Sequence, residues 1–306
     1  MTTVSVCVVV KDRRELMQQC LRAIEAQDRP PDDVVVVDNG STDGTLEALR
    51  ERAGLDPRLR VVVDTGSLGH ARNTAVREAA GDVVAFTDSD CTPRPGWLRA
   101  GLTALEEPGV VVVQGRTVPQ HPPTVRWSAT QDIDGPGLYE ACNVFYRRDA
   151  LLATAGFDAD VGFFGEDTAA GWAVLRAGGR GGWAPDAIVE HVVTTPGLVW
   201  HLRRTAGYAN WPALIRHFPE QRKMLWHSIF LRKASAETDL FLAGLIVSAL
   251  ARRPAPLAAT LPFLWSHRPR GRGAGAAADA VGRAVFDVAV SVALLRGSLR
   301  ERTLVL

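Results

Sequence analysis

Two aspartates, Asp88 and Asp90, stand one residue apart directly after the apolar run 82–87. We predict that this run forms a buried strand, and open α/β sheets bind their ligands outside the carboxyl ends of such strands. Paired carboxylates supply the hard oxygen ligands that Mg²⁺ and Mn²⁺ prefer, especially beside a diphosphate. An ordinary turn is the alternative interpretation, because Asp, Ser and Pro are common turn residues.

A second acidic pair, Glu166 and Asp167, opens a predicted helix that runs to Arg176. The aromatic residues Phe163 and Phe164 come just before it. A carboxylate in such a place can take the proton from an attacking hydroxyl group. Acids are also favoured in the first turn of any helix because of the helix dipole, so the pair alone does not establish catalysis.

Two further polar residues, Asp38 and His191, stand at the ends of predicted strands. Asp38 precedes a Gly-rich loop and could accept hydrogen bonds from a ribose or a base. It could instead cap the next helix, although Ser41 and Thr42 are closer to that position. His191 ends a predicted edge strand, 183–191, and its imidazole suits Mn²⁺, whereas a lone histidine can also be structural or exposed.

The elements that position these residues alternate between strands and helices of about ten residues, which predicts an α/β fold with a mostly parallel sheet and right-handed crossovers. An irregular stretch follows at 119–139. Strands are predicted at 4–10, 34–38, 60–64, 82–87 and 110–113, and helices at 14–26, 45–53, 70–80, 96–107, 148–154 and 166–176.

The composition is that of a globular protein, since 46% of the 306 residues are apolar and 23% are charged. The length suits one large domain or two. The start, Met1–Thr3, runs straight into a strand without a charged segment, so we expect no signal peptide. Four cysteines without metal-ligand spacing are expected to be buried free thiols in a reducing compartment: Cys7, Cys20, Cys91 and Cys142.

The charge is distributed unevenly along the chain. Residues 1–196 carry a net charge of −9, whereas residues 197–306 hold 16 Lys and Arg against 6 Asp and Glu, a net charge of +10. We therefore predict a domain boundary at 196/197 and an anionic partner for the second part. Membrane lipid is favoured over nucleic acid, because no nucleic-acid recognition module is visible.

The basic part also contains two apolar runs, Leu240–Leu250 and Leu257–Trp265, both shorter than the roughly 20 residues of a membrane span. They could be core helices of a second subdomain or amphipathic segments in the lipid headgroup layer. Helices are predicted at 198–217, 220–234 and 281–295, and arginines flank the apolar runs at Arg252, Arg253, Arg268, Arg270 and Arg272.

Four segments, read together, resemble the family 2 glycosyltransferases of the GT-A fold. They are VVVVDNGSTDGT at 34–45, GHARN at 69–73, TDSDCTPRPGWL at 87–98 and GFDADVGFFGED at 156–167. The resemblance covers about residues 4–192. It implies a Rossmann-like GT-A catalytic domain over 1–196, a nucleotide-diphosphate-sugar donor, a divalent cation, Mn²⁺ or Mg²⁺, and inversion at the anomeric carbon.

The resemblance also implies roles for particular residues. Asp38 stands where family members bind the uracil or ribose of the donor, and Arg72 lies in the segment that commonly faces the nucleotide. Asp12 stands where many members have Asn after the first strand. The implied donor-binding set is Val10, Asp12, Asp38, Arg72, Asp88 and Ser89.

For the metal, the resemblance implies Asp88 and Asp90, with Asp90 favoured as the direct ligand and His191 completing the shell. Asp167 matches the catalytic base. Glu166 would contact the acceptor or support Asp167.

The sequence departs from the family pattern at Lys11, where an aromatic residue usually stacks on the base, so the nucleotide remains open. The Gln-x-x-Arg-Trp motif of processive synthases does not occur, and no long transmembrane helix is expected, which favours a single transfer. The loop 39–44 does not match GxGxxG, and no GxxxxGK[ST] motif occurs, which excludes NAD-type and P-loop sites.

Two other functions are considered. A nucleotidyltransferase would share the metal-binding acids, but it normally carries a Gly-rich basic N-terminal loop that this sequence lacks. A non-catalytic nucleotide-sugar-binding protein would have the same fold. For the favoured enzyme, the acceptor is a hydroxyl on a lipid-linked or small molecule, and the expected location is the cytoplasm or the inner face of the cell membrane.

Overall fold

The computed structural model describes residues 2–157 and 165–306 and divides the chain into two compact units, Met1–Thr195 and Pro196–Leu306. Phe163, Phe164 and the middle of the 156–167 segment fall outside the described residues. All four cysteines are free and buried, as predicted.

The first unit is built on a mixed sheet with the strand order β3-β2-β1-β4-β7-β6-β8-β5 in the described part of the chain. Strands β1 to β4 pair in parallel, β7 is antiparallel to both of its neighbours, β6 and β8 are parallel, and β5 is antiparallel to β8. The strands are β1 (Val4–Val10), β2 (Asp33–Asp38), β3 (Leu59–Val63), β4 (Val83–Thr87), β5 (Cys91–Pro93), β6 (Val110–Pro119), β7 (Asn143–Arg147) and β8 (Arg180–His191).

Helices cover both faces of this sheet and bury its alternating side chains in two apolar clusters. On β1, Val6 and Val8 belong to one cluster and Cys7 to the other, as expected for a strand that is buried on both faces. The helices of the first unit are α1 (Arg14–Glu25), α2 (Thr45–Ala53), α3 (Leu68–Glu78), α4 (Trp97–Leu105), α5 (Arg148–Leu152) and α6 (Glu166–Arg176). Helices α1, α2 and α4 pack in the first cluster, and α3, α5 and α6 in the second.

The sheet differs from the sequence prediction in two places. Strand β7 was not predicted; it is short, and it pairs with strands that are distant in sequence. The prediction that 183–191 is an edge strand is wrong, because the three-residue strand β5 pairs along the end of β8 through Cys91 and His191. A strand of three residues leaves no periodicity from which it could be predicted.

Polar contacts lock α4 to the antiparallel half of the sheet. The indole N–H of Trp97 donates to the amide oxygen of Asn143 over 2.8 Å, and the Asn143 amide nitrogen donates to the carbonyl oxygens of Arg116 and Ala187. One buried asparagine therefore joins β6, β7, β8 and α4, which keeps the sheet continuous beyond its parallel half.

The second unit is helical. It contains α7 (Leu198–Arg204), α8 (Trp211–His217), α9 (Lys233–Ala251), α10 (Leu261–Ser266) and α11 (Ala274–Glu301), with 3₁₀ segments at Thr205–Asn210, Pro219–Met224 and Ala255–Thr260. Helix α11 lies at the centre of this unit. The buried core of the unit consists of Ile215, Leu225, Val290, Leu294 and Val305.

Several helices of the second unit have other bounds than predicted. The helix predicted at 198–217 is divided by the 3₁₀ turn, and 220–234 is not an α-helix. Helix α9 begins at Lys233, seven residues before the apolar run that starts at Leu240, so the helix includes the more polar segment 233–239 as well. It is the one helix in the described ranges that is long and apolar enough to cross a membrane, so the expectation that no helix reaches that length is wrong.

A close approach at Gly101 in α4 generates a stability prediction. A Cβ atom at Gly101 would overlap the Phe145 ring, whereas one at Gly275 in α11 would meet nothing within 4 Å. Alanine favours a helix over glycine by about 1 kcal/mol, but overpacking a core costs about 1–3 kcal/mol. Gly101→Ala should therefore lower the free energy of unfolding by up to about 2 kcal/mol.

Gly275→Ala, the control, should be neutral or slightly stabilising because only helix propensity acts there. Thermal unfolding followed by circular dichroism measures both variants. Equal behaviour of the two variants would show that Phe145 does not restrict this position.

Candidate active site

The polar side chains named above gather at one edge of the sheet because of its strand order. Strand β1 lies between β2 and β4, and all three are parallel, so their carboxyl ends share an edge. Asp38 ends β2, and Asp88 and Asp90 follow β4 directly. The register of β5 and β8 places Cys91 opposite His191, which brings the histidine beside Asp90.

Asp90 and His191 form the arrangement best suited to a metal ion. The Nε2 atom of His191 lies 3.6 Å from Oδ1 of Asp90, and its Nδ1 atom lies 2.8 Å from the carbonyl oxygen of Val192. A carbonyl oxygen can only accept, so Nδ1 carries the proton of the neutral ring. The Nε2 lone pair then faces Asp90, and this orientation by a hydrogen bond at the second nitrogen is typical of metal-binding histidines.

Cys91 is close to this pair but is a poor ligand. One donor atom each from Asp90, Cys91 and His191 lies within 4.8 Å of the others. Burial raises the pKa of the Cys91 thiol well above its usual value, so the sulfur stays protonated. The donor set that remains is one carboxylate and one imidazole, which suits Mn²⁺ or Mg²⁺ with further oxygen ligands.

Arg13, which the sequence analysis did not select, contacts the same carboxylate. Its Nη1 atom lies 2.7 Å from Oδ2 of Asp90. The guanidinium therefore places a positive charge at the oxygen that Nε2 of His191 does not face. The signal in the sequence was a basic pair, Arg13 and Arg14, just after the first strand at the same edge of the sheet.

Arg72 joins the two acidic pairs. It is 5% exposed, its Nη2 atom lies 3.5 Å from Oδ1 of Asp88, and its Nη1 atom donates to Oε1 of Glu166. The guanidinium also lies over the Phe157 ring, 5.7 Å from its centre. Burial lowers the pKa of Arg72, but the carboxylates of Asp88, Asp167 and Glu166 raise it by more than burial lowers it. The net shift of the pKa is therefore upward, and the guanidinium stays charged.

Asp88 is less buried than Arg72, since 34% of its side chain is exposed. Removal from water raises the pKa of its carboxyl group, the Arg72 charge lowers it, and the charge of Asp90 raises it again. Asp88 thus depends on nearby positive charge to remain ionised.

Glu166 and Asp167, the first residues of α6, have different surroundings. Glu166 is buried, its Oε2 atom has no hydrogen-bond partner in the described part of the chain, and burial raises its pKa to about 7. Asp167 is only partly buried; Oδ2 accepts the Ala141 N–H over 3.1 Å and Oδ1 accepts the Thr168 N–H over 2.8 Å. Two backbone donors thus orient the Asp167 carboxylate, whereas Glu166 is held by Arg72.

Glu140 is a third acid near α6 that the sequence analysis missed. Burial, together with the charge of Asp167, raises its pKa to about 7, and its Oε2 atom is buried without a hydrogen-bond partner among the residues described. It lies in the irregular stretch before β7, where the only signal was an acid directly before the apolar pair Ala141 and Cys142.

Asp38 and Asp12 shape the loop after β2. Oδ1 of Asp38 accepts the N–H groups of Gly40 and Ser41, which is a turn within the loop rather than a helix cap. Oδ2 of Asp38 is buried and has no partner among the described residues. Asp12, at a φ of 51°, accepts the Thr42 N–H over 2.7 Å.

The other predicted donor-site residues lie at the same edge. Val10 is buried and its carbonyl oxygen accepts the Asn39 N–H, while Ser89 is buried between the two aspartates. The buried, unpaired oxygen of Asp38 is available to a ligand, since such an atom costs free energy until a donor reaches it.

Comparison with known proteins identifies the family of the chain. Residues 5–166 match the family described as Glycosyl transferase family 2, and the chain belongs to that family, as predicted. Glycosyltransferase AglE of Haloferax volcanii is 36% identical over 162 residues, which are 48% of this chain and 53% of that protein. A pre-mycofactocin glycosyltransferase of Mycobacterium tuberculosis is 31% identical over 203 residues, which are 60% and 43% of the two chains. The chain thus spans about half the length of these curated relatives.

Solved structures confirm the predicted GT-A fold. The mannosyltransferase PcManGT of Pyrobaculum calidifontis, in complex with GDP-Man and Mn²⁺, has a TM-score of 0.62 at 23% identity over 98% of this chain and 87% of its own. TarS of S. aureus has a TM-score of 0.51 at 19% identity over 98% and 92% of the two chains.

The raised pKa of Glu140 predicts a pH effect on stability. Its folded pKa of about 7 exceeds the ordinary value of 4.5, so its stabilising contribution is present below about pH 4.5 and is lost as the pH rises through 7. The free energy of unfolding should fall by about 1–3 kcal/mol between pH 5 and 8 on account of this group.

Glu140→Gln should reduce the fall of the free energy of unfolding between pH 5 and 8, leaving the part that Glu166 causes, and should stabilise the protein at pH 8. Denaturant unfolding across the pH range measures this free energy. Glu107→Gln, at an exposed position, is the control. An unchanged slope in Glu140→Gln would contradict the assignment.

Proposed function

We propose that the protein transfers a sugar, with inversion, from a nucleotide-diphosphate-sugar donor to a hydroxyl acceptor, assisted by Mn²⁺ or Mg²⁺. One observation carries the proposal: Asp38, Asp90 and His191 lie along one edge of the sheet, and Arg72 links the neighbouring Asp88 to the start of α6. Membership in family 2 supports sugar transfer. PcManGT with GDP-Man and Mn²⁺, and GalNAc-T7 with UDP, GalNAc and Mn²⁺, support the donor and cation classes.

Asp90 and His191 would hold the cation, with Asp88 as the second carboxylate. A bound cation stabilises the negative charge that develops on the leaving diphosphate. Arg13 forms an ion pair with Asp90. If the cation binds the Asp90 carboxylate, Arg13 would be available to pair with a phosphate oxygen of the donor.

The nucleoside would occupy the side of Asp38, whose unpaired Oδ2 can accept a hydroxyl or N–H hydrogen bond. Val10, Asp12, Arg72, Asp88 and Ser89 complete the proposed donor site. Val10 and Asp12 act by holding the loop that follows Asp38. Arg72 acts by keeping a positive charge close to the Asp88 carboxylate.

Asp167 is proposed as the base. Inversion requires a proton acceptor on the face of the sugar opposite the leaving group, and the oriented, partly exposed carboxylate of Asp167 suits that task. Glu166, the neighbouring residue, would support Asp167 by fixing the start of α6 through its hydrogen bond with Arg72.

The acceptor is a hydroxyl on a lipid-linked or small molecule. A relative from Haloferax volcanii, 24% identical over 181 residues, is named a glucosyl-dolichyl phosphate glucuronosyltransferase, which favours a lipid-linked acceptor. The net charge of +10 over residues 197–306 supports an anionic membrane surface, at the cytoplasmic side, as a partner. Nucleic acid is not a proposed partner.

The first test is a donor panel. Labelled UDP-, GDP- and dTDP-sugars incubated with the protein and a membrane extract should give a labelled product with one of them. A labelled nucleotidyl product would instead indicate a nucleotidyltransferase, and donor binding without any product would indicate a non-catalytic binding protein.

Asp90→Ala should reduce the dependence of donor binding on the cation, because it removes the oriented carboxylate opposite His191. Calorimetric titration with nucleotide in the presence of Mn²⁺ and of EDTA measures this. Asp132→Ala, at an exposed position of the same unit, should bind as the wild type does. Tight binding by the wild type that EDTA does not change would refute the metal assignment.

Asp167→Asn should lower the transfer rate about 10²–10⁴-fold, because the amide keeps the shape but cannot accept the proton. Donor affinity should change little, since the proposed donor contacts lie at the ends of β1, β2 and β4. Rate and affinity are measured on the same preparation, with Asp132→Asn as control. A near wild-type rate, or a parallel loss of donor binding, would show that Asp167 is not the base.

A further inference from the structure

The second unit exposes large apolar side chains on α9, on α10 and on the 3₁₀ segment between them. They include Leu250 at 81% exposure in α9 and Leu261 and Trp265 at 62% and 69% in α10. Ile246, Leu257 and Leu264 are exposed as well, and we call these six residues the hairpin surface. Exposed apolar patches of this kind usually mark a binding surface, because water contact with so many apolar side chains is unfavourable.

Helices α9 and α10, which we call the hairpin, are held to each other and to the rest of the unit by side chains outside the hairpin surface. The rings of Phe241 and Phe263 stack with their centres 4.4 Å apart, which joins α9 to α10. His267 lies 3.0 Å from Asp287 of α11, and Arg232 pairs with the same carboxylate over 2.5 Å. The hairpin is therefore a fixed projection of the unit, and its exposed apolar side is a stable feature of the surface.

The charge around the hairpin surface identifies its partner. Residues 240–278 contain five arginines and no Asp or Glu. Arg252 and Arg253 follow α9, and the other three, Arg268, Arg270 and Arg272, follow α10. The guanidinium of Arg268 lies 3.9 Å from the centre of the Trp265 ring, which combines an aromatic residue and a cation as at membrane interfaces. Apolar side chains bordered only by arginine complement an anionic lipid surface.

The depth of insertion follows from the N-terminal half of α9. Ser235 and Thr238 are buried within the unit, Lys233 pairs with Glu237, and a carboxylate oxygen of Asp239 is buried. The mostly exposed half runs from Leu240 to Ala251, although Phe241 stacks on Phe263 and Gly244 is buried within it. At about 1.5 Å per residue it is roughly 18 Å long, shorter than the ~30 Å hydrocarbon core of a bilayer.

We propose that the hairpin of α9 and α10 inserts its apolar surface into one leaflet of an anionic bilayer without crossing it, while the flanking arginines contact the lipid phosphates. The proposal rests on the membrane partner proposed above and specifies the residues and the depth. It predicts a protein that is anchored from one side, with the hairpin surface among the acyl chains and headgroups.

The test is flotation of the full chain with vesicles of phosphatidylcholine alone or mixed with phosphatidylglycerol. The wild type should float with the mixed vesicles. The variant Leu250→Ser/Leu261→Ser/Trp265→Ser should partition at least about tenfold more weakly, because it loses three inserted side chains. The matched control, Leu55→Ser/Val125→Ser/Leu152→Ser, changes exposed apolar residues of the first unit and should float as the wild type does.

A second variant tests the charge. Arg253→Gln/Arg270→Gln/Arg272→Gln should weaken binding to the mixed vesicles about tenfold or more and should reduce its salt dependence. Binding to phosphatidylcholine alone should change little. Equal losses on both vesicle types would refute the role of these arginines.

Other outcomes separate the parts of the proposal. A wild type that binds neither vesicle overturns the membrane partner itself, whereas equal flotation of the serine variant overturns the hairpin assignment alone. Retention in membranes through alkaline carbonate washing would show that α9 spans the bilayer. A dimer in light scattering that the serine variant abolishes, without vesicle binding, would identify a second copy as the partner. Circular dichroism on every variant confirms that the helices of the second unit are folded, and nucleotide binding, which is proposed for the first unit, is independent of these outcomes.

Discussion

The buried guanidinium of Arg72 is the interaction on which the proposed active site depends. It lies among carboxylates that would repel one another and take up protons in a medium of low polarity. Burial already raises the pKa values of Asp88 and Glu166, and Arg72 opposes both shifts. Removing one partner of such a buried group typically costs about 3–5 kcal/mol, because charges are then left uncompensated. Arg72 therefore allows the acids of the two motifs to lie close together.

Arg72 also connects elements that are far apart in sequence. It belongs to α3, Asp88 follows β4, and Glu166 opens α6, so one side chain fixes the end of the Asp-x-Asp strand relative to the helix that carries Asp167. The acids thereby fall into two groups with different proposed tasks. Asp90 and His191 are the proposed cation ligands, and Asp167, in the helix that Arg72 contacts through Glu166, is the proposed base.

Much of the first unit could be predicted from the sequence, because its elements are local. Continuous valine runs indicate parallel strands, and Gly or Pro ends most of the helices between them. Strands β7 and β5 could not be predicted, since their pairing depends on distant partners. In the second unit, 3₁₀ segments at Thr205–Asn210 and Pro219–Met224 interrupt the helical pattern, which explains the wrong bounds at 198–217 and 220–234.

The candidate site was predictable in its residue types but not in its contacts. Asp38, Asp88, Asp90 and His191 do lie along the shared edge of the sheet. The contact between Arg72 and Glu166 spans 94 positions, and Arg13 reaches Asp90 over 77, so no local pattern reveals them. The orientation of His191 depends on the carbonyl of Val192, which only a structure provides.

The central claim is that a divalent cation binds between Asp90 and His191 while a nucleotide reaches the free oxygen of Asp38. Crystals grown with Mn²⁺ and a nucleoside diphosphate, with an anomalous difference map recorded at the manganese edge, test this most directly. The account predicts one strong peak bonded to the Asp90 carboxylate and to Nε2 of His191, with a nucleoside hydroxyl or N–H at Oδ2 of Asp38. A peak held by other residues, or a nucleotide away from Asp38, would contradict it.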